Sequence, residues 1–329
     1  MDSINELLAK AVRRHLPGAT GIADLRRLSG GASQETWSFD ACFDDRRTPL
    51  ILRRDPKRLR RGRTTALSIE IEGKTLKAAA RAGVPVPAIL GMLDDADDLG
   101  DALIMQRLEG ETIARKLLRD DEYAQARRVM AGQCGETLAK IHATDVSDVP
   151  ELVVSPALTE LARYHDTYRR HNHPHPVFDL AFRWLREHAP ETPARPTLVH
   201  GDFRNGNLMF GPEGLRAVLD WELCHLGDPM EDLGWLCTCS WRFGNHAMPV
   251  GGFGQYDDLF AGYERASGRA VDPERVRFWV ILGSLKWGVM CCGMADTFES
   301  GNDRTIERAM VGRRASENEI DLLRHLLAI

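Results

Sequence analysis

The apolar positions of this chain follow two rhythms. Over the first 110 residues they fall in short runs, at 25–28, 35–43, 49–53, 88–93 and 102–106. Runs of this length, bounded by turn formers such as Asp44-Asp45-Arg46-Arg47 and the acidic stretch DDADDLGD, predict strands. Two helices interrupt them. The first carries Leu7, Leu8 and Val12, is capped by Asp2 or Ser3 and stops at Pro17-Gly18. The second, over 65–82, places Ile69, Leu76, Ala79 and Ala80 on one side and is stopped by GVPVP at 83–87. Beyond residue 110 a helical period takes over at 121–143, 156–170, 178–189, 255–266, 273–295 and 303–328, broken by a strand-rich insert at 197–221. The apolar run 278–295 contains Ser284, Lys286 and two glycines, and reads as a buried core helix rather than a membrane span.

This pattern predicts an α+β protein in two parts. Residues 1–107 form a mainly antiparallel five-stranded sheet with one main helix, and residues 108–329 form a mostly helical lobe with a compact insert. The length of 329 residues suits two domains or one two-lobed domain. With 43% apolar and 28% charged residues, disorder is excluded. The balance of 43 basic and 48 acidic side chains leaves a net charge of −5, so no global field attracts nucleic acid or anionic lipid. The one basic stretch, RRDPKRLRRGR at 53–63, contains Pro56 and Gly62 and reads as a solvated loop. Seven irregularly spaced cysteines, with no C-x-x-C among them, read as reduced thiols. The first residues lack an apolar signal core, and a cytoplasmic location is expected.

The chemistry concentrates at 198–236, LVHGDFRNGNLMFGPEGLRAVLDWELCHLGDPMEDLGWL. Phosphoryl transfer needs a carboxylate beside the acceptor hydroxyl and hard oxygen ligands for Mg²⁺. Asp202 and Asn207 share one loop, and a short hairpin after it would return Asp220 beside Asn207. One carboxylate could then face a substrate while the other two residues hold metal. Asp220 ends an apolar strand, where a free carboxylate is costly without a partner.

HGDFRNGN, 200–207, resembles the catalytic loop of the aminoglycoside phosphotransferase and choline kinase superfamily, which carries H-G-D-x-x-x-x-N in place of the protein-kinase H-R-D-x-x-x-x-N. LDWE, 219–222, is similar to its metal-binding segment, and GDPMEDLGWL, 227–236, to the segment that follows. The resemblance implies a protein-kinase-like two-lobed fold and ATP or GTP with Mg²⁺. It makes Asp202 the catalytic base and Asn207 and Asp220 the metal ligands. Glu222 would have a weaker role near the metal, while His200 and Asp232 would be structural. Upstream, LSGGASQETW at 28–37 resembles the phosphate-covering loop, with Gly30, Gly31 and Ser33 toward the nucleotide. PLILRRDP resembles the strand that carries a phosphate-contacting lysine, and Glu72 matches that lysine's ion-pair partner. LIMQRLEG resembles the linker whose backbone, at Gln106 and Leu108, would hold adenine. One position departs from the pattern. The lysine is replaced by arginine, Arg53 by strand alignment with Arg54 beside it, and the two cations are not interchangeable. An arginine here is a feature of phosphotransferase-like domains associated with acyl-CoA dehydrogenases, which the chain resembles more than it does drug-resistance enzymes.

The segment 240–255, SWRFGNHAMPVGGFGQ, is aromatic and glycine-rich, not acidic. His225, Trp241, Arg242, Phe243 and Trp287 are candidate lining for an acceptor pocket. The expectation is ATP- and Mg²⁺-dependent transfer to a small-molecule hydroxyl, on a hydroxy acid or hydroxyacyl thioester rather than an aminoglycoside. The alternative is a kinase-fold nucleotide-binding scaffold with little or no transfer. A protein kinase is disfavoured by the absence of H-R-D, D-F-G and A-P-E.

Overall fold

The computed structural model describes residues 3–28, 34–55, 66–171 and 173–327. The expected phosphate-loop residues Gly30, Gly31 and Ser33, and most of the basic stretch at 53–63, lie outside them. The chain forms two compact units, one of residues 1–110, 144–152 and 216–224, the other of 111–143, 153–215 and 225–329.

The first unit begins with helix α1 (Ile4–His15), opened by a capping box in which Ser3 Oγ accepts from Glu6 N–H and Glu6 Oε2 from Ser3 N–H. Strands β1 (Gly21–Arg27), β2 (Glu35–Cys42) and β3 (Arg47–Asp55) follow, then helix α2 (Ile69–Arg81), β4 (Ile89–Met92) and β5 (Asp101–Gln106). The sheet order is β1-β2-β3-β5-β4, antiparallel throughout. Phe39, Leu50, Leu52 and Ile104 pack with Leu8 and Val12 of α1 on one face. On the other face α2 comes so close that a Cβ on Gly73 would stand 3.5 Å from Leu103 and 2.5 Å from Met92 Sδ. Ser68 caps α2. Its buried side uses Ile69, Leu76, Ala78 and Ala79, while Ala80, expected on that side, is exposed. The returning segment at 216–224 is tied in by Val218 N–H to Pro85 O at 2.8 Å and by Leu67 N–H to Glu222 O at 2.7 Å.

In the second unit, α3 (Ala114–Arg119), α4 (Ala124–Arg127), α5 (Met130–His142), α6 (Ala157–Tyr168) and α7 (Pro176–Glu187) precede β6 (Thr197–Val199). Strand β7 (Leu208–Gly211) follows, then β8 (Gly214–Val218), which carries the chain into the 216–224 segment of the first unit; β9 (His225–Gly227), which pairs with β6, and α8 (Met230–Leu236) come next. Helices α9 (Tyr256–Ser267), α10 (Pro273–Glu299), α11 (Ile306–Gly312) and α12 (Ala315–Leu327) complete it. The segment 121–143, expected as one helix, is broken between α4 and α5. So is 303–328, at Gly312, whose backbone packs against Ala295 so closely that a Cβ would lie 3.0 Å from it. Helix α10 is long and apolar enough to cross a membrane, yet 67% of its apolar window is buried within the protein, as a core helix requires.

Candidate active site

The first unit gathers four charged residues. In β3, Leu50 and Leu52 face α1, so the alternation of a strand turns Ile51 and Arg53 toward α2 and sends Arg54 to the opposite face. Arg53 Nη1 lies 2.9 Å from Glu72 Oε1, and its Nη2 lies 2.7 Å from Asp220 Oδ1 and 3.8 Å from Glu222 Oε2. Its Nε donates to Gln34. Arg54 instead pairs with Glu35 at 2.8 Å. Burial alone would lower the Arg53 pKa, but Glu72, Asp220 and Glu222 outweigh it and the net shift is upward. Burial pushes the Glu72 carboxyl up to about 7, with Arg53 opposing and the charges of Asp220 and Glu222 adding. Asp220 has φ +63, a left-handed conformation that non-glycine residues hold only under constraint. Among the described residues no hydrogen bond or ion pair reaches its Oδ2. At the expected linker, Gln106 N–H donates to Ala88 O at 2.9 Å. Leu108 N–H has no hydrogen bond among the described residues.

The second unit holds the HGDFRNGN loop, built on α8. Asp232 is fully buried. Its Oδ2 accepts from His200 N–H at 2.8 Å and lies 3.2 Å from His142 Nε2, and its Oδ1 accepts from Gly201 N–H at 3.0 Å. Burial opposes ionisation of Asp232, but these donors and the facing histidines win, and its pKa is lowered. Tyr263 O–H lies 3.0 Å from His142 Nδ1 and completes the chain. His200 is fully buried and its Nδ1 accepts from Asp202 N–H at 3.2 Å. Gly201 (φ +77) and Gly206 (φ +102) supply the two left-handed turns that let the loop double back.

That doubling back places Asp202 and Asn207 in contact. Asn207 Nδ2 donates to Asp202 Oδ2 at 2.7 Å and to Asp202 O at 3.0 Å. Asp202 Oδ1 accepts from Trp235 Nε1 at 2.8 Å and from Arg204 Nε at 3.1 Å. With its amide nitrogen turned to Asp202, Asn207 presents its Oδ1 elsewhere as a hard acceptor. An aromatic row adjoins the aspartate. The rings of Trp235 and Trp241 are 5.3 Å apart and those of Trp241 and Trp287 4.9 Å, with Arg204 lying 4.6 Å over Trp241 and Lys286 4.5 Å over Trp235. The buried indole N–H groups of Trp241 and Trp287 have no protein partner among the described residues.

The other candidate lining residues are placed differently. Arg242 is buried and donates to Cys237 O at 2.6 Å, His225 lies 3.3 Å from Glu231, and Phe243 is exposed. Sequence reasoning passed over Trp235, Arg204 and Lys286. Trp235 carried a usable signal, since it follows Asp232 by one helical turn and so shares its face of α8.

The comparisons with known proteins agree with one another. A family model described as the phosphotransferase enzyme family matches residues 24–279. Acyl-CoA dehydrogenase family member 10 from Mus musculus is 30% identical over 239 residues, 69% of this chain, and bears out the resemblance to that branch. The chain spans only 22% of that relative's length. The crystal structure of a putative aminoglycoside phosphotransferase from Ralstonia eutropha superposes with a TM-score of 0.75 at 22% identity, covering 97% of each chain. That of a thermostable mutant of aminoglycoside phosphotransferase APH(4)-Ia, in ternary complex with AMP-PNP and hygromycin B, gives 0.64 at 18% identity, covering 98% of this chain and 99% of its own. The fold is protein-kinase-like, as the resemblance implied.

Proposed function

The chain belongs to the phosphotransferase enzyme family, and we propose that it moves the γ-phosphoryl group of ATP, or GTP, to a hydroxyl of a small molecule, with Mg²⁺. One observation carries this reading: the Asp202 carboxylate is fixed by three side-chain donors beside an asparagine whose amide oxygen is left to bind a cation. Asp202 would orient the acceptor hydroxyl and take its proton as the oxygen forms its bond to phosphorus and the bond to the β-phosphate oxygen breaks. Arg53, held by Glu72, would contact nucleotide phosphates through its fork. Taken one by one, the two residues that the resemblance names as ligands suit Mg²⁺. Asn207 Oδ1 and Asp220 Oδ2 are hard oxygens with no protein hydrogen bond among the described residues, the donor type magnesium prefers. When bound, the ion would neutralise phosphate charge. Leu108 N–H would serve adenine. Glu222, 3.8 Å from Arg53, supports the arginine more directly than it does a metal. The acceptor would be a hydroxy acid or hydroxyacyl thioester, since no dense acidic cluster awaits a polycation in 240–255.

A second reading, a nucleotide-binding scaffold without transfer, is favoured by the guanidinium of Arg53 on Asp220 Oδ1 at 2.7 Å, which an incoming metal would have to share or displace. Thermal unfolding with Mg-ATP, Mg-ADP and Mg-GTP, on the parent, Asp220→Ala and Asp202→Asn, tests both. A nucleotide at a hundredfold its Kd adds about 2.7 kcal/mol of stability. A magnesium-dependent rise that Asp220→Ala loses and Asp202→Asn keeps, with transfer lost in both, is expected. No rise with any nucleotide refutes the kinase reading. A rise in the parent without transfer to any hydroxylated acceptor favours the scaffold.

A further inference from the structure

Helix α10 ends on an unfavourable arrangement of charge. Asp296 and Glu299 lie three residues apart at the C-terminal end of this 27-residue helix, and no basic residue accompanies them in the last turn. Like charges at this spacing repel, and the negative pole of the helix dipole opposes both. Among the described residues, no lysine or arginine lies within 4.0 Å of either carboxylate, and the partners they do have are histidines.

Those histidines come from the segment between α6 and α7. His173 Nε2 lies 3.8 Å from Asp296 Oδ1 and 3.6 Å from Glu299 Oε2. Both gaps are too long for hydrogen bonds. The three atoms converge nonetheless, all within 4.8 Å of one another. Around a tetrahedral zinc ion, with bonds of about 2.0–2.2 Å, neighbouring ligand atoms stand about 3.4 Å apart. Two edges of the triangle are already close to that spacing, and the Glu299 side chain, 61% exposed, can swing to close the third.

The second histidine directs one of the carboxylates. The His171 side chain is only 10% exposed, its Nδ1 lies 2.5 Å from Asp296 Oδ2, and its buried Nε2 has no partner among the described residues. A buried imidazole on one oxygen fixes the direction of the other, as hydrogen-bonded partners do for carboxylates that bind metal. Asp296 Oδ1 is the oxygen left on the His173 side. His175, next along the segment, is engaged elsewhere, 3.0 Å from Glu319 and 3.4 Å from Cys292 Sγ.

We propose that His173 Nε2, Asp296 Oδ1 and Glu299 Oε2 form a zinc site, with a water as the fourth ligand and His171 as the positioning residue for Asp296. An imidazole nitrogen among the donors suits Zn²⁺ better than Mg²⁺ or Ca²⁺, which favour all-oxygen sets. The ion would neutralise the acidic end of α10 and tie the segment between α6 and α7 to it. The site shares no residue with the proposed nucleotide and acceptor site, so neither assignment depends on the other.

The test uses the tag-free full chain as parent, His173→Ala, Glu299→Gln, His171→Leu and His171→Asn, each checked for an unchanged thermal midpoint in EDTA. Zn²⁺ is titrated by calorimetry in excess Mg²⁺, which fills hard-oxygen sites elsewhere, and Co²⁺ serves as a visible-absorbing substitute. The parent should bind one zinc per chain, give the absorption band of tetrahedral cobalt, and melt at a higher temperature with zinc than in EDTA. His173→Ala and Glu299→Gln, at exposed side chains, should each weaken binding at least about 10-fold and abolish the cobalt band. His171→Leu should weaken it about 10- to 100-fold, and His171→Asn, whose amide nitrogen can stand in for Nδ1, should recover part of the loss. No zinc bound by the parent would overturn the site and leave the cluster held by a proton on His173. Equal stoichiometry and affinity in His173→Ala would place the zinc elsewhere and overturn it as well, and equal competition by Ca²⁺ would overturn the assignment to zinc.

Discussion

The buried carboxylate of Asp232 offers the sharpest test of how the HGDFRNGN loop is held. It is the acceptor for three donors, the backbone N–H groups of His200 and Gly201 and the imidazole of His142. Asp232→Ala strands all three in a site that is fully buried. An unsatisfied buried donor costs about 1–3 kcal/mol. The three overlap in one small space, so the sum is taken toward the low end, at roughly 3–5 kcal/mol, the range typical of breaking a buried pair. Against a total stability of about 5–15 kcal/mol this is severe. Asp232→Asn keeps one oxygen for one backbone N–H but turns an NH₂ group toward another donor, so about half that loss is expected. Urea unfolding followed by tryptophan fluorescence measures both variants.

The effect on chemistry is separable from the effect on stability. His200 and Gly201 immediately precede Asp202, so releasing their N–H groups lets the carboxylate drift. A displacement of about 1 Å at a reacting group costs on the order of a hundredfold in rate. Transfer by Asp232→Asn, measured well below its unfolding midpoint, should therefore fall with little change in nucleotide affinity. The pH dependence follows from the lowered pKa. A carboxyl depressed below its ordinary 3.8 contributes stability that is present above that value and is lost as pH falls through the native pKa. The variant should consequently show a shallower loss of stability below about pH 4. A loss under about 1 kcal/mol for Asp232→Ala would refute the claim that these hydrogen bonds anchor the loop.

Three further outcomes are expected. Glu72, raised to about 7 from 4.5, holds its proton more tightly in the folded protein than in the unfolded chain. Its contribution to stability is therefore full below pH 4.5 and declines as pH rises toward 7, and a series of melting curves for Glu72→Gln should be flatter across that window than the parent's. Gly135→Ala should destabilise by at least about 2 kcal/mol, because the new Cβ would overlap Leu259 O and stand 2.6 Å from Tyr263 N where α5 meets α9, and a chemical denaturation midpoint equal to the parent's would contradict that packing. Of the seven thiols only Cys42 is part-exposed and the others are buried, so a chromogenic disulfide should label one rapidly in the native protein and all seven after denaturation.

Much of the architecture was legible because its signals are local. Ser3 with Glu6, Ser68 before α2 and Asp272-Pro273 before α10 each announce a helix start within four residues. The choice of Arg53 over Arg54 came from the resemblance and not from the periodicity, since Leu50, Ile51 and Leu52 are all apolar. A strand buried on both faces loses the alternation that would reveal its parity, and only the neighbouring α1 and α2 supply it. The break after Gly312 was equally hidden, and the need for a glycine there comes from the approach of Ala295 on another helix. The left-handed turn at Asp220 is not marked by a glycine; aspartate visits this region more readily than most residues, as Asp24 and Asp98 also do, but nothing local says which aspartate will.

Lys286 belongs to a different class. Its position could be read from the sequence, in an apolar run whose best use is a core helix, and it broke the pattern there. What the sequence lacked was the partner, since Tyr164 comes from α6 and Trp235 from α8, each far away along the chain. A residue that violates its local environment is retained only if something distant compensates it, and such violations collect at functional sites. In this chain the compensation comes from two ring faces and from the charges of Glu160, Glu231 and Asp202, and one of those rings is the indole that grips Asp202. The same logic applies to Trp241 and Trp287, whose buried N–H groups donate to no described residue along the same aromatic row. Two buried indole donors in a row beside one fixed carboxylate mark where oxygen atoms of a ligand would find partners, more directly than any motif in the loop does.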